Sequence, residues 1–394
     1  MRKAIVFIGL ILLIITEILR VYFIMPFPGS QHNETLDIAY WIGGNIIWIR
    51  LVLGSITALL FISSFRASKK GYKIVSALLM VLYAVVFYFF NFRFLAETMF
   101  YQPKNLEFSI VADNKIALDK QILGIEINGQ AKAYPIQLIG YHHQVRDSVG
   151  GRPVMVTYCT VCRTGRVFSP YVNGQAEDFR LVGMDHFNAM FEDGVTKSWW
   201  RQVSGEAVAG PLKGTKLMEI PSQQMTLASW LERYPSSLIM QPDSAFKKQY
   251  EKLDGYDKGK LTNSLEKRDS GSWKDKSWVV GIKSGNDAMA IDWNRLIRER
   301  VVQDSLPRLP FVIILGEDSS SFFAYTRELN GNILQLKRKN DTKPVLMTDE
   351  NTHSLWNQQG YCIEGTMKGS KLVTVQSYQE YWHSWRTFNP RTTR

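Results

Sequence analysis

Long Lys/Arg runs, a second cysteine pair and a nucleophile elbow are all missing from this 394-residue sequence. The first absence matters because the formal charge is +11, which by itself invites a nucleic-acid reading. The cations are interspersed with acids, nine against four in residues 1–97 and 38 against 32 beyond, as on an ordinary solvated surface. No nucleic-acid partner is expected. Only three cysteines occur, and Cys159-x-x-Cys162 has no second C-x-x-C or Cys/His pair to complete a four-ligand structural zinc site. No histidine follows Cys162, which argues against covalent c-type haem. Neither a nucleophile elbow nor a zincin helix motif is present, so a hydrolase is the weakest of the enzymatic readings.

What is present is 45% hydrophobic content against 21% charged, which excludes a disordered or fibrous chain. A mean hydropathy of −0.13 averages an apolar first quarter with a polar remainder. Residues 1–97 read as a membrane anchor with helices at about 4–25, 39–64 and 72–90, each long enough for a hydrocarbon core of about 30 Å. No small-x-small cleavage pattern follows the first, so it is read as a retained helix and not a signal peptide. Arg2 and Lys3 precede the first helix, and Arg66, Lys69, Lys70 and Lys73 crowd the second loop, whereas residues 26–38 hold no Lys or Arg. Positive charge stays inside, so the N-terminus is expected in the cytoplasm and the large C-terminal part outside it, in a multi-pass cell-membrane protein. Glu17, Arg20 and Arg50 then fall toward the outer leaflet. Either the arginines snorkel while Glu17 satisfies Arg20, or the three form a polar cluster.

The rest of the chain reads as an α+β, β-rich extracytoplasmic domain. Asn128-Gly129 and Asn173-Gly174 signal hairpins, Pro153–Cys159 a strand, and short helices are expected at about Ile136–His142 and Met225–Tyr234. The sequence also repeats. Gly124-Ile125, Ala131, Ala133, Val145, Asp147-Ser148 and Pro153 recur 157 positions later as Gly281-Ile282, Ala288, Ala290, Val302, Asp304-Ser305 and Pro310. The match continues with slight slippage through Trp200/Trp356, Gln202/Gln358 and Trp230/Trp385. The expected organisation is a first copy in 98–240, a polar linker in 241–276 and a degenerate second copy in 277–394. Residues kept in both copies, such as Trp200, Gln202 and Asp147, are assigned to packing and capping. Residues lost from the second copy mark a candidate site: Cys159 and Cys162 fall opposite Gly316 and Ser319, and His142 and His143 opposite Glu299 and Arg300.

Three chemistries are open to Cys159 and Cys162: a short-range disulfide, a redox pair whose thiolate is stabilised by Arg163 or a histidine, or a soft-metal site with His142 and His143, for which copper is favoured. Cys362 and Met155 are expected in the core. The segment Ala133–Pro170 carries Tyr134-Pro135, His142, Asp147, Gly150-Gly151, Thr157-Tyr158-Cys159, Cys162 and Thr164-Gly165, with Ser198, Trp200, Gln202, Gly210-Pro211, Gly214 and Leu217 downstream. In these it resembles the prokaryotic family catalogued as domain of unknown function 3179, departing from that pattern at Thr160, Arg163 and His143. The resemblance implies a family without a settled activity. Two functional expectations follow: a thiol-redox or soft-metal centre, with a redox or metal-delivery partner outside the cytoplasm, or a non-catalytic binding or assembly module whose cysteines brace a loop. The lipid bilayer is the partner expected of the three helices.

Overall fold

The computed structural model describes residues 2–32, 34–66, 68–339 and 344–394. Three N-terminal helices are followed by a strand-rich α+β chain. Mutual contacts divide it into two units: Met1–Tyr101 with Glu177–Lys216, and Gln102–Ala176 with Leu217–Arg394.

In the first unit, α1 (Arg2–Tyr22), α2 (Leu36–Phe65) and α3 (Lys70–Phe92) are each long and apolar enough to cross a membrane. Helix α1 ends three residues before the expected 25, because Pro26 disfavours helical geometry in the residues leading into it. Buried Val6, Leu10, Leu13 and Val21 mark its packed side. By contrast α2 and α3 leave Trp48, Leu59, Leu78 and Val81 exposed, a surface suited to hydrocarbon and costly in water. The antiparallel sheet of Phe179–Asp185, Asn188–Asp193, Trp199–Arg201 and Ala207–Ala209 belongs to the same unit. Its attachment uses backbone: Met184 N–H donates to the Ile24 carbonyl at 2.7 Å. Gly183 makes this approach possible, since a Cβ there would lie 2.2 Å from that oxygen. Lys213 reaches Asp37 at 2.7 Å, and Tyr40 packs edge-on to Trp199.

The second unit contains two series of elements in the same order. Strands Gln121–Ile127 and Gln130–Pro135 lead into α4 (Ile136–His142), then a three-stranded meander of Gln144–Val149, Arg152–Cys159 and Thr164–Phe168. Asn128 and Gly129 form the first turn at φ 52° and 81°, as an Asn-Gly hairpin requires. Gln223–Thr226, α5 (Leu227–Arg233) and Leu238–Met240 close this series, the last strand pairing in parallel with Gln130–Pro135. Residues 241–276 include α6 (Lys247–Lys252) and bury Phe246, Tyr250 and Tyr256. Strands Trp278–Ser284 and Asp287–Asp292, α7 (Trp293–Glu299), and the meander Val301–Leu306, Leu309–Leu315 and Phe322–Thr326 follow. A four-stranded sheet, Ser377–Tyr381 and α8 (Trp382–Phe388) complete the chain.

Particular contacts recur between the two series. A Cβ on Gly124 would meet the Trp230 ring at 2.4 Å, and one on Gly281 would meet the Trp385 ring at 2.0 Å. His143 and Arg300 both end their helices at positive φ, 61° and 64°. The carbonyl of each accepts a strand N–H, from Tyr158 at 2.9 Å and from Leu315 at 2.8 Å.

Candidate functional site

The Cys-x-x-Cys segment is the tip of a buried hairpin. Val154–Cys159 is a run of buried residues, as expected of a strand covered on both faces, and Cys159 pairs with Thr164 across the turn. Residues 160–163 make that turn, with Arg163 at φ 57°. Cys159 and Cys162 are both 0% exposed, neither is in a disulfide, and their sulfurs are side-chain hydrogen-bond neighbours.

Around the thiols stand groups from far along the chain. The Ser384 hydroxyl on α8 is the other hydrogen-bond neighbour of the Cys162 thiol, and the Cys162 carbonyl accepts the Tyr381 N–H at 3.0 Å. Ser384 in turn donates to the fully buried Glu380 carboxylate at 3.1 Å, and Glu380 is ion-paired with buried Arg166. Arg166 also stacks on the Tyr378 ring, 3.6 Å from its centroid. The Lys276 ammonium donates to the carbonyls of Val161 and Leu265 and lies near both sulfurs. His383 Nε2 meets the same Val161 carbonyl at 3.1 Å.

Electrostatically the pocket favours a neutral Cys162 thiol. Burial pushes the Cys162 thiol well above its ordinary value, the adjoining Cys159 sulfur adds to that, and Lys276 and Ser384 oppose it without prevailing. Burial likewise lowers the Lys276 ammonium although both sulfurs favour its charged form. A reactive cysteine requires the reverse, a stabilised thiolate with an open path to it. Arg163, expected to stabilise a thiolate, is taken up elsewhere. Its guanidinium donates to Gln379 and to the Asp257 carbonyl, both at 2.9 Å, and lies 3.8 Å from the Trp278 ring centroid.

His142 and His143 sit at the end of α4. His142 Nε2 is 2.7 Å from the Tyr250 hydroxyl, with the rings of Tyr141 and Phe246 packed edge-on at 5.0 and 5.2 Å. His143 Nδ1 is 3.2 Å from the Tyr141 carbonyl, and burial drops its pKa to about 4. Burial first, then Lys276, takes His383 down to about 3. Among the described residues no group of three or more His, Cys, Asp and Glu side chains is arranged to hold a metal ion.

Residues assigned to packing and capping take those places. Asp147 accepts the Ser148 N–H at 2.7 Å and is ion-paired with Lys132; Asp304 accepts the Ser305 N–H at 2.8 Å. The Trp200 indole donates to Asp193 at 2.9 Å, and Gln202 accepts from Asn188 at 2.9 Å. Cys362 belongs to a core cluster with Trp356 and Leu372. Sequence reasoning missed Lys276, Glu380, His383 and Ser384. One signal was available, because with Trp230 set against Trp385 Ala228 falls opposite His383, a difference between matched positions of the kind that drew attention to the cysteines.

Comparison with known proteins adds a family. A family model described as Protein of unknown function (DUF3179) matches residues 104–392, spanning both series of elements. No curated protein and no solved structure is found to match the chain.

Proposed function

We propose, for a chain that belongs to the family described as Protein of unknown function (DUF3179), a role as a membrane-anchored binding or assembly module outside the cytoplasm. In this reading Cys159 and Cys162 brace the hairpin tip against α8. The observation that carries it is the sealed dithiol: both sulfurs are buried, and burial holds the Cys162 thiol in its neutral, unreactive form. The ordered links from Arg166 through Glu380 and Ser384 to Cys162 tie the turn to the chain's last helix. That is the arrangement expected of a structural clasp.

Orientation follows from the loop charges, with the N-terminus and the loop near residue 68 in the cytoplasm and the sheets outside. The paired order of elements, and the Gly–Trp contacts found in each series, support an origin by duplication of 98–240 and 277–394 joined through 241–276. On that view the dithiol belongs to the first copy alone.

A thiol-redox or soft-metal centre is the second reading, favoured by the proximity of Lys276 to two touching sulfurs. One sample of purified full-length chain separates the two. With a thiol reagent and elemental analysis, the clasp predicts no rapid reaction in the native state, reaction of all three cysteines after unfolding, and no stoichiometric copper or zinc. A native thiol that reacts at the rate of a free one, or one bound soft metal per chain, would replace the clasp with the second reading.

A further inference from the structure

The second unit holds a cavity of about 680 Å³ beside the first meander, and the backbone around it is built alike in both series. Residues 218–220 lie against 167–169, the Ser169 N–H donating to the Met218 carbonyl at 2.9 Å and the Ile220 N–H to the Val167 carbonyl at 2.8 Å. In the second series Thr326 donates to Val373 and Val375 to Ala324, both at 2.9 Å. Phe168 thus faces Glu219 as Tyr325 faces Thr374, and Glu126 faces Ala131 as Lys283 faces Ala288. The same frame carries different chemistry.

Glu126 and Glu219 both line the cavity, where the second series has Lys283 and Thr374. Glu126 is in no ion pair among the described residues, and its Oε1 accepts only the neutral Gly129 N–H at 2.7 Å. Glu219 lies 3.8 Å from Arg166 Nε, but that guanidinium is already paired with fully buried Glu380. The Glu219 Oε1 accepts no hydrogen bond among the described residues, and its neighbour, the Tyr378 hydroxyl, supplies no charge. Setting Arg166 and the exposed Arg152 at the cavity edge against Glu126, Glu219 and Glu380 leaves one carboxylate in surplus. A single cation complements it.

The remaining surface is apolar, with exposed Tyr171 and Met218 standing over Ile127 and Ile220. The backbone adds a preference for an extended chain. Glu219 sits opposite Phe168 in a pair that exchanges no hydrogen bonds, so its N–H and carbonyl point away from that strand. Neither has a partner among the described residues, which leaves a donor and an acceptor at a sheet edge for another main chain.

We propose that this cavity takes an extended segment of a partner protein, one that carries a lysine or arginine flanked by apolar residues. The cation lies between Glu126 and Glu219, the flanking side chains cover Tyr171 and Met218, and the main chain pairs with Glu219. The inference rests on the binding-module reading and names the partner that module takes.

The test uses full-length chain in mild detergent, dialysed against radiolabelled blocked pentapeptides with lysine at the centre and Val, Leu or Ile beside it. A matched mixture has glutamate at the centre. The lysine mixture should be retained and the glutamate mixture not. Two variants take the residues of the second series, Glu126→Lys and Glu219→Thr, and each should reduce retention several-fold. Glu126 is an exposed side chain, so its replacement leaves the fold intact, and the melting temperature of both variants checks this. Equal retention of the two mixtures overturns the proposal, as does unchanged retention by both folded variants. So does n-butylamine binding as tightly as the lysine peptides, which would make the cavity a site for small amines. Reactive native thiols or a bound soft metal would leave the peptide result untouched, so the clasp and the peptide site fail separately.

Discussion

Two buried histidines make the strand-rich part of the chain sensitive to acid. His143 and His383 have folded pKa values of about 4 and about 3, both below the unfolded value of about 6.5. Below about pH 6.5 the unfolded chain takes up protons that the folded chain refuses, so stability is full above that pH and falls as pH drops toward the folded values. Each histidine contributes a slope of about 1.4 kcal/mol per pH unit inside its window. Melting temperature should therefore decline between about pH 6.5 and 4, before the depressed carboxylates of Asp318 and Asp349 begin to add to the loss in the same direction. His383→Gln should flatten that decline. A profile in which His383→Gln parallels the parent would show that the imidazole does not carry the effect. The cysteines and both α4 histidines stood out in sequence because the matching positions 157 residues later hold other residue types. Lys276, Glu380 and Ser384 did not, since each comes to the thiols from more than 100 positions away and only tertiary packing unites them.

At the level of elements, the closest shared feature of the two series is a strand glycine lying under a helix tryptophan. Gly124 and Gly281 occupy equivalent strand positions, and an added methyl would overlap Trp230 and Trp385 respectively. Gly124→Ala and Gly281→Ala should each destabilise by about 1–3 kcal/mol, the cost of overpacking a filled site. Thermal or denaturant unfolding of the two variants checks this, and a cost in only one of them would argue against a common architecture. Local chemistry made several elements legible. The Asn128-Gly129 hairpin formed as its φ requirement dictates, and α4 runs over Ile136–His142 as anticipated. Helix α5 starts at Leu227, two residues after the expected Met225, because Met225 and Thr226 pair with Ile122 and Gln121 and the Thr226 hydroxyl then caps the helix. Hydropathy located the three long helices, but it gave no hint that Asn91 would join Glu17, Arg20 and Arg50 in one hydrogen-bonded cluster. An asparagine near a helix end looks unremarkable until the helices are assembled.

Across the whole molecule, the division of the chain into units differs from the organisation expected from its sequence. Residues 177–216 lie inside the stretch 98–240 read from sequence as a first copy, yet they pack with the three helices. Backbone pairing to Ile24 and the ion pair with Asp37 account for this, and neither leaves a pattern in sequence. The central claim, an anchor that delivers the sheets outside the cytoplasm, is tested most directly by site-specific labelling. Single cysteines at Ser68, in the loop between α2 and α3, and at exposed Asn173, in a hairpin turn, are treated with a membrane-impermeant thiol reagent on intact cells. The native cysteines are buried and should give little background. Asn173→Cys should label on intact cells and Ser68→Cys only after permeabilisation, whereas labelling of Ser68→Cys on intact cells with protection of Asn173→Cys would contradict the account.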